Sequence, residues 1–244
     1  MTDWRIGCSG FHYKEWKELF YPAGLPQKKW LEYYCRQFNT LEINSSFYRQ
    51  PTLKSFQNWY EQSPPGFLFS VKAPRTITHY KKFNDAREEL DVFYDTMSAG
   101  LKDKLGAVLF QMPPGFFYTA ARLELVISSM RKGFENVLEA RHASWWNDKT
   151  FHRLAEESIT FSGISYPSAL PDTVIKAINP VYYRFHGRPV LYKSEYAIDE
   201  LKRVIDEIGN GPQRVYVYFN NTWGGAALKN ARQFIKLAAI DQTP

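Results

Sequence analysis

The sequence predicts an α/β protein that forms a single (β/α)8 barrel of the TIM type, with one domain over residues 1–244. Strand-like and helix-like segments alternate along the chain, and eight apolar runs have the length of buried strands. Polar side chains follow most of these runs. A doubly wound open sheet is the alternative fold, but no strand precedes the Gly-x-Gly-x-x-Gly turn that is typical of it.

The apolar runs predict strands at 4–7, 40–44, 68–72, 107–111, 137–141, 160–164, 181–185 and 214–219. Helical periodicity predicts helices at 28–38, 51–62, 87–101, 119–132, 148–157, 196–208 and 225–240, and Thr52 is a plausible N-cap of the second. The first loop, residues 11–27, is long and aromatic. The segment 165–180 contains three prolines, so the sixth helix should be weak or missing.

The composition indicates an ordinary globular protein, with 44% hydrophobic and 23% charged residues. The formal net charge of +6 favours phosphate-bearing partners, although no block of like charges occurs. The N-terminal residues lack the apolar region of a signal peptide, and no apolar run could span a membrane. The two cysteines, Cys8 and Cys35, form no disulfide framework, so we expect a cytoplasmic protein with no membrane partner.

The stretch from Val137 to Trp146 is the most informative, because an apolar run turns abruptly polar and aromatic. Alternate strand residues share a face, so Glu139 and Arg141 should point the same way. A buried carboxylate and guanidinium are unfavourable unless they are paired or used. A structural ion pair explains one strand. It explains less well why several strands end in charged or amide groups.

The same parity, applied to every strand, predicts one polar set at the carboxyl ends of the barrel strands, where barrel active sites lie. Leu68, Leu109 and Val137 should fill the interior below it. The predicted catalytic residues are Glu42, Glu139 and His186. The predicted substrate-binding residues are Asn44, Tyr48, Lys72, His79, Gln111, Arg141, Trp145, Arg184, Arg188, Asn220 and Asn221.

Individual roles remain open at this stage. Glu42 and Glu139 could be an acid–base pair, or they could neutralise the nearby cations. His186 is the best candidate for proton transfer. His142 has the opposite parity and could hold the following loop, while Cys8 fits a packed thiol better than a nucleophile.

The charges of the set favour an anionic ligand. Lys72, Arg141 and Arg184 exceed the two glutamates by one positive charge when His186 is neutral. Barrel loops after strands seven and eight often bind phosphate. Here Gly224 and Gly225 precede a helix whose N–H groups could meet an oxyanion, although a simple helix cap is an equal alternative.

No metal site or cofactor is predicted, because no His-Glu-x-x-His or paired-cysteine pattern occurs and the nearby cations oppose a metal ion. Aromatic side chains in the same loops could stack on a base or a sugar ring, or simply pack the loops. They are Phe11, Trp16, Phe47, Tyr48, Trp145 and Trp223.

Motifs in order along nearly the whole chain resemble the YecE-like family, called domain of unknown function 72. They are Ile6-Gly-Cys-Ser-Gly, Phe20-Tyr-Pro, residues 38–48 (FNTLEINSSFY), residues 69–74 (FSVKAP), Ile77-Thr-His, residues 109–114 (LFQMPP), residues 139–145 (EARHASW), residues 183–188 (YRFHGR) and Tyr218-Phe-Asn-Asn. The resemblance implies a TIM barrel but supplies no activity. A relation to endonuclease IV-type barrels has been suggested for the family. Cys8 stands where threonine is common, and Ser165-Tyr166 where an acidic residue is frequent.

Two functions therefore compete. The first is an enzyme that acts on a small phosphorylated or otherwise anionic substrate by acid–base chemistry, as a hydrolase, lyase or isomerase. The second is a nucleic-acid binding or processing protein. Two further hypotheses are a non-catalytic barrel that binds a ligand and a glycosidase. The glycosidase is included because two inward glutamates also suit glycoside chemistry. The sequence leaves the substrate and the oligomeric state undetermined.

Overall fold

A computed structural model describes residues 2–239. Its strands are β1 (Asp3–Cys8), β2 (Thr40–Ile43), β3 (Leu68–Lys72), β4 (Leu105–Gln111), β5 (Asn136–Glu139), β6 (Ile159–Phe161), β7 (Gly163–Ser165), β8 (Val181–Phe185) and β9 (Arg214–Phe219). Its α-helices are α1 (Trp30–Cys35), α2 (Ser45–Tyr48), α3 (Leu53–Gln62), α4 (Arg87–Leu101), α5 (Ala120–Ser129), α6 (Asp148–Glu156), α7 (Ile198–Ile208) and α8 (Ala226–Leu237). The predicted alternation of strands and helices is confirmed.

The strands form two parallel sheets, in the orders β1-β9-β8-β7 and β2-β3-β4-β5-β6. The prediction of parallel α/β structure is therefore confirmed. The described strands do not form the single continuous ladder that was expected. The sixth predicted strand is divided at Ser162, so that β6 pairs with β5 whereas β7 pairs with β8. At the other junction, an isolated bridge between Ser9 and Glu42 is the only strand-type pairing between β1 and β2 in the described part of the chain.

A compact apolar cluster contains side chains from both sheets. Tyr218 on β9 shares a hydrogen bond of 2.6 Å with Thr40 on β2, and it donates another to Ser70 on β3. The cluster includes Leu68, Leu109 and Val137, which confirms that these three predicted interior residues lie together. Its members are Leu68, Ala107, Leu109, Val137, Tyr182, Tyr216 and Tyr218.

The helices pack on the outer faces of the sheets in a separate, larger core. Local sequence starts several of them: the side chains of Thr52, Thr119 and Asn147 accept N-cap hydrogen bonds, as predicted for Thr52. α3 and α4 approach closely because Gly100 has no side chain; a Cβ there would lie 2.3 Å from Cβ of Phe56. Within residues 2–239, no helix is long and apolar enough to cross a membrane.

Two irregular segments match their predictions. The long first loop is packed rather than open, since Trp16 is buried and its indole N–H donates to the carbonyl of Thr222 across the molecule. Tyr21 of this loop stacks on Trp30, with ring centroids 4.3 Å apart. Residues 166–180 contain no helix, and the N–H of Val174 there bonds to the Glu207 carboxylate on α7.

Candidate functional site

Arg184 on β8 joins two glutamates from the other sheet. Its Nη2 donates to Glu42 Oε1 and its Nη1 donates to Glu139 Oε2, each at 2.7 Å. All three side chains are fully buried. The planar guanidinium can reach two carboxylates at once, which a lysine ammonium does with less geometric precision. Residues predicted from strand parity on three separate strands therefore meet at the carboxyl end.

Each glutamate has further partners. Ser9 Oγ donates to Glu42 Oε1 and the Tyr182 hydroxyl donates to Oε2, both at 2.6 Å. Arg141 Nε donates to Glu139 Oε1 at 2.6 Å. Both carboxylates are thus held by several donors, as buried charges require.

His186 occupies the centre of the next layer. Its Nε2 lies 3.0 Å from Nη2 of Arg141, and its Nδ1 lies 3.0 Å from the side-chain amide of Asn220. Burial, followed by the charges of Arg141 and Arg184, holds the pKa of His186 well below its usual range. The predicted proton-transfer histidine is therefore neutral, and its two nitrogens are engaged.

Lys72, at the end of β3, has a different environment. Its ammonium nitrogen makes one hydrogen bond among the described residues, to Oε1 of Gln111 at 2.9 Å, and lies 4.1 Å from the centre of the Phe47 ring. Burial is the main cause that lowers the pKa of Lys72 to about 7, and Arg184 adds to it. The sequence analysis placed Lys72 in the set as an anion-binding residue and missed that it titrates near neutrality.

The pKa of Glu139 is determined by neighbouring charges more than by burial. Burial acts to raise the pKa of Glu139, but the charges of Arg141 and Arg184 outweigh it and hold this pKa well below its usual range. Glu139 is therefore a carboxylate at neutral pH. Because Arg184 is buried between Glu42 and Glu139, its charge is already neutralised. The guanidinium of Arg141 is the more available one: its Nη1 has no hydrogen-bond partner among residues 2–239.

Other predicted residues lie beside this network. Asn44 follows β2, and its buried Oδ1 has no partner among the described protein groups. His79 packs edge-on against Phe47, and burial together with the charge of Lys72 lowers its pKa to about 4. Tyr48 is the last residue of α2, the short helix after β2, and is 70% exposed. Gln111 and Asn220 touch Lys72 and His186 directly, as described above.

Three predicted ligand-binding residues have structural partners outside the network. Arg188 forms an ion pair with Asp172 at the surface. Asn221 donates to the carbonyl of Ser194 and to Asn230, and so ties the loop after β9 to α8. Trp145 is fully buried, with its indole N–H donating to the carbonyl of Phe116. In this conformation none of the three side chains joins the central network.

Two alternatives from the sequence are also placed. His142 accepts a hydrogen bond from the N–H of Ser144, so it holds the loop as predicted from its parity. Burial raises the pKa of the Cys8 thiol far above its usual range, which suits a packed thiol.

The helix N-terminus at Gly225 is covered by Leu19, whose Cδ2 would lie 2.3 Å from an added Cβ. No group of three or more acidic, histidine or cysteine side chains within residues 2–239 is arranged to hold a metal ion.

Three partners of the network were not singled out from the sequence as members of the site. Ser9 and Tyr182 hold Glu42, and Tyr166 lies flat under Arg141, with its ring centroid 3.9 Å from the guanidinium carbon. Ser9 and Tyr166 each directly follow a strand, so strand position was an available signal for them. Tyr182 has the same parity as Arg184 and could have been found in the same way.

Comparison with known proteins assigns the family. Residues 5–244 match the family described as protein of unknown function DUF72, and the chain belongs to this family. The UPF0759 protein YunF of Bacillus subtilis is 27% identical over 92% of both chains. The UPF0759 protein YecE of Escherichia coli is 33% identical over 38% of both chains. The family predicted from the sequence motifs is therefore confirmed.

Solved structures give the same result for the fold. A DUF72 family protein from Thermotoga maritima is 30% identical, with a TM-score of 0.87 over 97% of this chain and 99% of that one. A putative vitamin-B12 independent methionine synthase from Listeria monocytogenes has a TM-score of 0.52 at 10% identity, over 96% of both chains. The second similarity concerns the fold alone. The family assignment supplies no substrate.

Proposed function

We propose that this protein is an enzyme that acts on a small phosphorylated or otherwise anionic substrate by acid–base chemistry at the carboxyl ends of its strands. The observation that carries the proposal is the amine of Lys72, which interacts electrostatically with the buried carboxylates of Glu42 and Glu139. The pKa of this amine is lowered to about 7. A group that titrates near the working pH suits proton transfer. Strongly shifted pKa values gather at functional sites.

The division of labour follows from the contacts. Arg184 orients Glu42 and Glu139, and His186 orients Arg141. Arg141 Nη1 has no hydrogen-bond partner in the described part of the chain, and Arg141 is the residue that binds the anionic group. Lys72 carries the mobile proton, a role that the sequence analysis gave to His186.

We also propose that the two sheets act as one (β/α)8 barrel in a single domain. Three observations support this architecture: a backbone bridge links Ser9 to Glu42, a single residue separates β6 from β7, and one interior cluster includes side chains of both sheets. Interrupted ladders still enclose a packed interior, as barrel folds require. The network then lies at the mouth of the barrel.

A thermal-shift comparison tests anion binding. Inorganic phosphate and glycerol 3-phosphate should raise the melting temperature of the wild type, whereas glycerol should not, because a ligand that binds only the folded state stabilises it. Arg141→Met should abolish the shift. Arg188→Ala, which removes a surface cation paired with Asp172, is the matched control and should retain it.

Failure of every anion to stabilise the wild type, or equal shifts in both variants, would contradict the proposed anion site. For any ligand that is turned over, the rate should increase through about pH 7 as the Lys72 amine loses its proton. A rate that is unchanged in Lys72→Met would exclude this residue from the chemistry.

A specific feature supports nucleic-acid binding as a second candidate function. Tyr48 ends the short helix after β2 and is 70% exposed, and Trp223 lies shortly after β9 and is 57% exposed. Arg75 lies over the rings of both Tyr48 and Tyr80, and Lys193 lies over Trp223. Exposed aromatic rings beside cations can stack on unpaired bases.

Fluorescence anisotropy with single-stranded DNA distinguishes this candidate from the first. Binding should weaken steeply between low and physiological salt, and Tyr48→Ala combined with Trp223→Ala should reduce it. Arg141→Met should leave it unchanged, since that guanidinium is 6% exposed. Absent or salt-insensitive binding would remove the nucleic-acid candidate.

A further inference from the structure

Two lysines are withdrawn from solvent, and their hydrogen bonding differs. Lys104 donates to the carbonyls of Tyr60 and Ser63 and to the hydroxyl of Ser63, at 2.7, 2.6 and 3.0 Å. Three donors are all that an ammonium has, so Lys104 is a saturated structural cation. Within residues 2–239, Lys72 donates to Gln111 alone.

The second difference is position. Lys104 is buried in the turn that precedes β4, on the amino-terminal side of the strand. Lys72 ends β3 on the same side as Glu42 and Glu139, and the residue is mostly buried but keeps part of its surface accessible to solvent. Its amine therefore belongs to the carboxyl ends of the strands, the side from which a small molecule would enter.

We infer that the Lys72 amine forms a covalent imine with an aldehyde or ketone group of the anionic substrate. The inference rests on the proposed function and narrows its substrate class to anionic carbonyl compounds. Desolvated lysines next to other cations are the amines that enzymes use for this reaction.

The bonding changes are balanced without any further reactant. The nitrogen lone pair forms a bond to the carbonyl carbon, and the carbonyl π electrons move to oxygen. A proton moves from nitrogen to that oxygen, and a second proton from solvent allows the oxygen to leave as water. The remaining nitrogen lone pair then forms the C=N bond of a protonated imine.

The surrounding charges favour both the neutral amine that reacts and the cationic imine that forms. The neutral amine is favoured by burial and by the cations of Arg184 and Arg141, while the cationic imine is stabilised by the carboxylates of Glu139 and Glu42. His79 also lies within electrostatic reach of Lys72. The Phe47 ring limits the movement of the amine and favours its cationic states, including the imine. Arg141 can hold the substrate anion at the same time.

The first experiment measures the reactivity of each lysine in the full-length protein. Reductive methylation with formaldehyde and cyanoborohydride, read by peptide mass spectrometry, should label Lys72 at pH 7 roughly tenfold or more above the average exposed lysine. Its labelling should reach half its maximum near pH 7, and Lys104 should be labelled slowly at every pH. Labelling of Lys72 no faster than that of Lys104 would overturn the inference.

The second experiment traps the imine. The protein is incubated with pyruvate or dihydroxyacetone phosphate and reduced with borohydride, which adds hydride to the imine carbon and makes a stable secondary amine. We expect the adduct on Lys72, its loss in Lys72→Arg, and its retention in the matched variant Lys104→Arg. Lactate and glycerol 3-phosphate have no carbonyl group and should give no adduct.

The outcomes separate this inference from the proposed function. If the anions raise the melting temperature but no adduct forms on Lys72, the imine is wrong and the anion site stands. If adducts form equally on exposed lysines, the imine is also wrong. If the anions neither bind nor react, both the inference and the proposed function fail.

Discussion

Both ends of the interior have an ionic network that links the two sheets, and the two networks differ in burial. At the amino end, Arg214 on β9 reaches Asp3 and Glu135, with 33–37% of each side chain exposed. At the carboxyl end, Arg184 on β8 reaches Glu42 and Glu139, with none of the three exposed. The same residue types therefore make the same kind of bridge in two different dielectric environments.

The difference shows why similar ion pairs have different consequences. Water competes for the amino-end charges, so each pair there contributes little beyond orientation. At the carboxyl end the charges act on one another strongly, and they shift the pKa values of Lys72, Glu139 and His186 in the directions described above. When such ion pairs are buried, they change the pKa values of neighbouring groups in addition to linking the two sheets.

The largest expected effect compares the two arginines. Arg184→Met leaves two buried carboxylates without their shared cation and should lower the free energy of unfolding by about 3–5 kcal/mol. Arg214→Met should lower it by about 1 kcal/mol or less, because the side chains of its partners are 33% exposed. Urea unfolding at pH 7 measures both. Glu42→Gln with Glu139→Gln, added to Arg184→Met, should recover part of the loss, and similar losses for the two arginines would break the comparison.

Acid titration gives the next effect. The folded pKa of Glu139 lies below its unfolded value of 4.5, so its contribution is present above that value and is lost as the pH falls through the folded pKa. Removing the group with Glu139→Gln should flatten the dependence of the unfolding free energy on pH below about pH 5. Urea unfolding between pH 5 and pH 3 measures the slope. An unchanged slope would show that other groups dominate acid unfolding.

Lys72 should show the opposite sign. Its folded pKa of about 7 lies below the ordinary 10.5, so the unfolded chain holds the proton between these values and stability increases with pH. Lys72→Met should therefore stabilise the protein by up to about 4–5 kcal/mol at pH 6, and the gain should disappear towards pH 10. Thermal unfolding at a series of pH values measures it. A gain that is the same at every pH would argue against a shifted lysine.

The smallest expected effect concerns a surface pair. Arg188→Ala removes an exposed ion pair with Asp172, so the free energy of unfolding should change by about 0.5 kcal/mol or less. The phosphate-induced thermal shift should not change. A lost shift would restore Arg188 to the ligand-binding set that the sequence predicted.

Most of the secondary structure could be predicted because its causes are local. The bounds of β3, β8, β9 and α4 agree with the sequence analysis, since apolar runs and helical periodicity define them. The short helix α2 and the division at Ser162 were not predicted. Ser162 donates its N–H to the carbonyl of Leu138 on β5, whereas the next residue, Gly163, pairs with β8. Such a change of partner depends on distant strands.

Strand parity also predicted much of the candidate site, because it depends only on alternation along each strand. It brought Glu42, Glu139 and Arg184 to one face before their contacts were known. It could not rank the members chemically. The assignment of proton transfer to His186 rather than to Lys72 depended on burial and on neighbouring charges, which the sequence does not contain.

By itself the sequence determined the α/β class, the family and the face on which polar residues gather, since these follow from periodicity and motif order along the chain. Only the tertiary structure decided that two carboxylates neutralise the charge of Arg184, and that Arg188 and Trp145 lie outside the network. It also decided that the pKa of the Lys72 amine is about 7. The physical reason is that charge, desolvation and hydrogen bonding act through space. Residues from four different strand ends set the protonation of one another, and no local pattern encodes their distances.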